Sequence, residues 1–120
     1  MTVRDLADSR PLRLLFWAAA IFAFVMAVLP HPPDIPGHPS DKIQHIVAFV
    51  TLALLGSWAY TATKPLKLLA ALSLFGAVIE IVQMIPTLYR DADVIDWLAD
   101  TVAVAVVLLL VRAMRRRTNG

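Results

Sequence analysis

Four predominantly apolar runs, residues 12–29, 43–62, 66–86 and 94–111, leave this chain little choice of environment. Each is close to the ~20 residues with which an α-helix crosses the hydrocarbon core of a bilayer. A chain of 120 residues has too little interior to hide four such helices from water. A hydrophobic content of 59% and a mean hydropathy of +0.72 point the same way, to lipid as the surrounding medium. Backbone inside a bilayer satisfies its polar groups only in helices or closed barrels, and these runs lack the alternation of barrel strands. The expected fold is therefore all-α, a four-helix transmembrane bundle. It forms one membrane domain over residues 12–111, flanked by an N-terminal segment at 1–11 and a basic tail at 112–120.

Of the 11 Lys and Arg residues, all but Lys42 and Arg90 fall at one set of span ends. The positive-inside bias then predicts both termini in the cytoplasm and the connections at 30–42 and 87–93 on the outer side. That is the topology of a multi-pass protein of a bacterial cytoplasmic (inner) membrane. Arg10 and Arg13 ahead of the first run resemble the start of a signal peptide, but the run is long and "VLPHPPD" offers no small-x-small cleavage site, so it is read as a retained anchor. A formal net charge of +2 does not indicate nucleic acid, because the basic residues sit at span ends and not among exposed aromatics. The absence of cysteine excludes disulfides, thiolate metal sites and a cysteine nucleophile. The short links "TATKP" and "PTLYRDAD" predict that spans two, three and four are successive antiparallel neighbours. The link "PHPPDIPGHPSD", with five prolines, predicts an extended strap.

Against this apolar background a set of polar residues converges on one depth. Ser40 or Asp41 is placed to cap the second helix, with His45 about 6 Å inside its start. Glu80 lies about 9 Å below the end of the third run, with Gln83 on the same face at i+3. Asp93, Asp96 and Asp100 follow at i, i+3 and i+7, one stripe descending the fourth helix. Taken singly, Asp41 reads as a cap, Lys42 as an interfacial side chain, and Asp91 and Asp93 as complements to a helix dipole. Glu80 and Asp100 are different, since an ionisable group within a span is costly and by default faces the bundle interior for a functional reason. So many carboxylates against Lys42 and Arg90 imply protonation of some, or a cationic group among them. Arg90 is expected to turn inward and pair with Glu80, Asp93 or Asp96.

The segments "DKIQHIVAF" and "GAVIEIVQMIPTLYRDADVIDWLAD" resemble the VanZ-like family of small membrane proteins. That family shows D-K-x-x-H near the start of one span, E-x-x-Q late in the next, and R-x-x-D-x-x-D-x-x-x-N into the last. The resemblance covers about residues 12–111 and marks Asp41, Lys42, His45, Glu80, Gln83, Arg90, Asp93 and Asp96 as the polar signature. Asp100 stands where the family usually has Asn, and Ala103 and Val107 stand where glycines are usual. The family takes its name from a factor associated with teicoplanin resistance. The resemblance therefore implies work at the envelope side of the membrane, and it implies no particular reaction.

On these grounds the leading expectation is an outward-facing acidic pocket that binds or modifies an amphiphilic cell-envelope molecule. His45, Glu80, Asp96 and Asp100 form its candidate catalytic centre, and Asp41, Lys42, Gln83, Arg90 and Asp93 are candidate substrate contacts. There is no nucleophile elbow, Gly-rich phosphate loop or Ser-His-Asp order, so enzymatic and non-enzymatic readings both stand. No cofactor is implied. No metal is assigned either, since a single suitable imidazole without H-E-x-x-H spacing makes a weak ligand set. Two alternatives remain: proton or ion translocation, for which the inner half of the spans offers only Ser57, Thr61 and Ser73, and a structural role in which the polar cluster clips the helices together.

Overall fold

Caps and prolines set the length of each helix. A computed structural model describes residues 10–30, 37, 40–90 and 92–119, with Asp41 and Asn119 described by their backbone alone. The described residues form four helices and no strand: α1 (Arg10–Val28), α2 (Asp41–Ala59), α3 (Pro65–Gln83) and α4 (Val94–Asn119). Ser40 is the cap of α2: it is extended, and its Oγ accepts a hydrogen bond from Ile43 N at 3.3 Å. Residues 31–36, 38 and 39 of the proline-rich strap, the N-terminal segment before Arg10, Asp91 and the Asp41 side chain lie outside the described residues.

Three helix ends differ from the sequence expectation, each for a local reason. α2 stops at Ala59 and not at residue 62, because Pro65 opens α3 and forces Lys64 into an extended conformation, leaving 60–64 to form the turn. α3 stops at Gln83 and not at Pro86, because Ile85 is extended ahead of Pro86 and a short 3-10 turn, Pro86–Leu88, follows. Tyr89 then takes the left-handed conformation, φ 53°, and reverses the chain toward α4. At the other extreme, α4 runs through the basic residues to Asn119, since Arg, Ala and Met propagate a helix well and cations suit its C-terminal end.

All four helices have the length and hydropathy of membrane spans. The outside of the bundle is strongly apolar: Phe22 is 67% exposed and Leu74 66%. Such a surface is stable against lipid and not against water. The interior is lined by aliphatic, aromatic and small residues on regular stripes, Phe49–Leu52–Ala53–Gly56 in α2 and Val104–Leu108 in α4, with Leu68, Leu72 and Ile79 from α3 and Phe16 and Ala20 from α1. Gly56 permits close approach: a Cβ there would lie 3.1 Å from both Leu68 and Phe16 side chains.

The expectation that spans two, three and four pack as successive neighbours holds only in part. α2 packs most extensively against α4 and next against α1, α3 packs mainly against α4, and the α2–α3 contact is lighter. The two tightest partners, α2 and α4, run parallel: His45 meets Asp100 at one end and Ser57 meets Arg115 at the other. Short links fix the alternation of direction but not which faces adhere. That choice follows from the polar contacts that tie α4 to α2.

Candidate functional site

The bundle has an acidic end, where α2 and α4 begin and α3 finishes, and a basic end opposite. Asp100 sits on the same buried stripe of α4 as Val104 and Leu108, and is only 3% exposed. Its Oδ2 lies 3.5 Å from His45 Nδ1, and that imidazole is itself largely enclosed. At this length the contact is looser than a well-formed hydrogen bond. Asp100 Oδ1 has no hydrogen-bond partner among the described residues. An orphaned carboxylate oxygen in so dry a position is costly and calls for a reason.

Around this dyad the remaining candidates form a partial ring. Asp96, one turn above Asp100, pairs with Lys42 Nζ at 3.7 Å, so two side-chain contacts join α2 and α4, the second of them ionic only when the His45 imidazole is protonated. Glu80 reaches from α3: its Oε2 accepts from the backbone N–H of Asp93 at 2.8 Å. That N–H precedes the first turn of α4, where a carboxylate also complements the helix dipole. Asp93 is the local cap, its Oδ1 accepting from Ile95 N at 2.9 Å. Glu80 and Asp96 both stand within electrostatic range of the His45 imidazole. His45, Glu80, Asp96 and Asp100, named from the sequence as the polar centre, are thus brought to one locality on three helices. Among the described residues no three His, Cys, Asp or Glu side chains come together closely enough to hold a metal ion.

Gln83 and Arg90 have a different occupation. Gln83 is 2% exposed, and its Nε2 donates to Ala27 O at 2.9 Å. Arg90 Nη1 donates to Leu29 O at 3.0 Å and Met26 O at 3.3 Å. Together they satisfy three carbonyls at the end of α1, those of Met26, Ala27 and Leu29. Arg90 does turn inward, as its charge demands, but its acceptors are backbone carbonyls and not Glu80, Asp93 or Asp96. A C-terminal helix end carries concentrated negative partial charge, and a planar guanidinium reaches two of its carbonyls at once. Among the described residues Gln83 Oε1 has no hydrogen-bond partner, the second such buried atom at this end.

Sequence reasoning passed over one polar link in the middle of the bundle. Trp97 Nε1 donates to Ser73 O at 2.9 Å, and the hydroxyls of Ser73 and Thr101 lie 3.0 Å apart, fastening α3 to α4. The available signal was the i, i+4 spacing of Trp97 and Thr101 on the fourth span, which is weak beside the charged stripe that shares it.

Set against protein-family models, curated proteins and solved structures, the chain matches none.

Proposed function

We propose that this chain is a multi-pass membrane protein of the VanZ-like kind whose acidic end faces the outside of a bacterial cytoplasmic membrane. There it receives the polar part of an amphiphilic envelope molecule. The observation that carries the reading is the buried Asp100, with one oxygen on His45 and the other unpartnered. A carboxylate in that state is matched by a hydrogen-bond donor or cationic group from a ligand. Since Arg90 is engaged with α1, the headgroup contacted is expected to be rich in hydroxyls or amines and not to depend on an arginine clamp for an anionic group. With Nδ1 turned to Asp100, His45 has Nε2 available for proton transfer, which makes a general-base role at a ligand hydroxyl the natural enzymatic version.

The orientation rests on the cluster of arginines at the opposite end, which belongs in the cytoplasm. The test is native mass spectrometry of the detergent-solubilised chain after incubation with an envelope lipid extract. Retention of an amphiphile by the wild type and its loss in Asp100→Ala, with helicity unchanged, is the expected result. Equal retention by both would sink the reading.

One observation favours a second reading. Each cross-helix contact at this end joins two elements: Lys42 and His45 to α4, Glu80 to the start of α4, Gln83 and Arg90 to α1. A purely structural clip would be built this way. It leaves Asp100 Oδ1 unexplained, and it predicts that Glu80→Gln lowers stability without altering lipid retention. Translocation is disfavoured, because below the acidic dyad and the Ser73–Thr101 pair the buried Phe49, Leu52, Ala53, Val104 and Leu108 form an apolar layer before Ser57 and Arg115. Proton flux through reconstituted vesicles would reverse that judgement.

A further inference from the structure

Two cavities adjoin each other at the basic end; both have apolar walls, and the smaller also carries a set of arginines. The smaller, about 210 Å³, is bordered by Arg112, Arg115 and Arg116 with Ser57, Tyr60 and Thr63, and no acidic side chain lines it. The spacing i, i+3, i+4 places the three arginines on one face of α4. This face exists only because α4 continues as a helix beyond its apolar part. The larger cavity, about 390 Å³, is a groove between α1 and α3, walled by Phe16, Ala20, Leu72 and Phe75, with Lys67 among its lining residues. Tyr60, Thr63 and Leu68 belong to both linings.

The wall they share is well held. Trp17 Nε1 donates to the Tyr60 hydroxyl at 2.8 Å, and the Arg13 guanidinium lies 4.9 Å from the Tyr60 ring centroid. The hydroxyl accepts that bond, so its own proton is left to donate. Arg115 Nη2 is anchored to Ser57 O at 2.6 Å, which orients its guanidinium at the cavity. Arg112 and Arg116 are exposed on the same face.

We propose that the basic end binds one anionic phospholipid, its phosphate among Arg112, Arg115 and Arg116 and an acyl chain in the groove between α1 and α3. Charge and apolarity together select this occupant. A soluble anion would satisfy the arginines and leave the groove empty, while an uncharged lipid would fill the groove and leave the arginines unmatched. Guanidinium groups suit the phosphate geometry, and the end of a span is the level at which headgroups lie.

The test uses the full chain in detergent, titrated with dioleoyl phosphatidylglycerol or dioleoyl phosphatidylcholine and read by native mass spectrometry. The wild type is expected to prefer phosphatidylglycerol. Arg112→Ala and Arg116→Ala should each weaken it by about fivefold and weaken phosphatidylcholine, whose choline offsets the phosphate charge, by less. Arg117 does not line the cavity, so Arg117→Ala should change neither lipid. Ala71 lines the groove and is exposed, so Ala71→Trp should weaken both lipids without entering the core. Glycerol phosphate, which has the headgroup chemistry but no chain, should fail to displace the lipid. Equal affinity of the wild type for the two lipids overturns the proposal, as does an Arg117→Ala loss equal to that of Arg112→Ala, which would mean diffuse surface charge. Displacement by glycerol phosphate would also overturn it, in favour of a soluble anion.

Discussion

The two ends of the bundle handle charge in different ways. At the acidic end, charged side chains meet each other between α2 and α4, half-exposed Lys42 with Asp96 and the more buried His45 with Asp100, beside backbone contacts of Glu80 and Gln83. At the basic end, the arginines meet backbone: Arg13 donates to Ala59 O at 3.2 Å and Arg115 to Ser57 O, both at the finish of α2. Arg90 follows the basic-end pattern although it sits at the acidic end, because what it finds there is the finish of α1. The difference teaches that a helix C-terminus is a competitive acceptor for arginine even when carboxylates stand close by. It also separates the consequences of mutation. Paired side chains leave a stranded partner when one is removed, whereas carbonyls at a helix end can turn to water or a neighbouring N–H.

That contrast is open to measurement by unfolding in a single detergent at neutral pH. The largest effect is expected for His45→Leu, which strands the buried Asp100 carboxylate and should cost about 3 kcal/mol. The double variant His45→Leu/Asp100→Leu should recover most of this; failure to recover would mean that the two residues do not act as a pair. Next comes Arg90→Ala, expected to cost about 2 kcal/mol through two lost charge-assisted hydrogen bonds to α1. If carboxylates and not carbonyls were its true partners, Arg90→Ala would be rescued by neutralising Glu80 or Asp96, and no such rescue is expected. Glu80→Gln keeps an acceptor for Asp93 N but weakens it, for a loss of about 1 kcal/mol in the same titration. Arg112→Ala, at the exposed basic face, should leave the unfolding midpoint unchanged. A destabilisation matching that of Arg90→Ala would erase the distinction between the two ends.

Much of the site was legible in advance because charges in apolar runs are conspicuous. The i, i+3, i+7 stripe of Asp93, Asp96 and Asp100 and the placement of His45 and Glu80 at similar depth follow from helix geometry alone. Gln83 and Arg90 were legible as important but not in their role. Which acceptor they choose depends on where the end of α1 lies, and α1 is distant in sequence across the proline-rich link. The arginines of residues 112–117 were legible as charge, yet their arrangement around a cavity depends on the helix continuing and on Tyr60 and Ser57 facing them from α2.

By itself the sequence determined the solvent, the number of spans and the axial level of each polar group, because hydropathy and the 1.5 Å rise of a helix are local properties. Only the tertiary structure decided lateral neighbours. That α2 lies parallel to α4, that Asp100 meets His45 while Arg90 meets α1, and that a groove opens between α1 and α3 all depend on rotation of each helix about its axis. In lipid no hydrophobic drive sets that rotation, so small residues such as Gly56 and a handful of interhelical polar contacts select it.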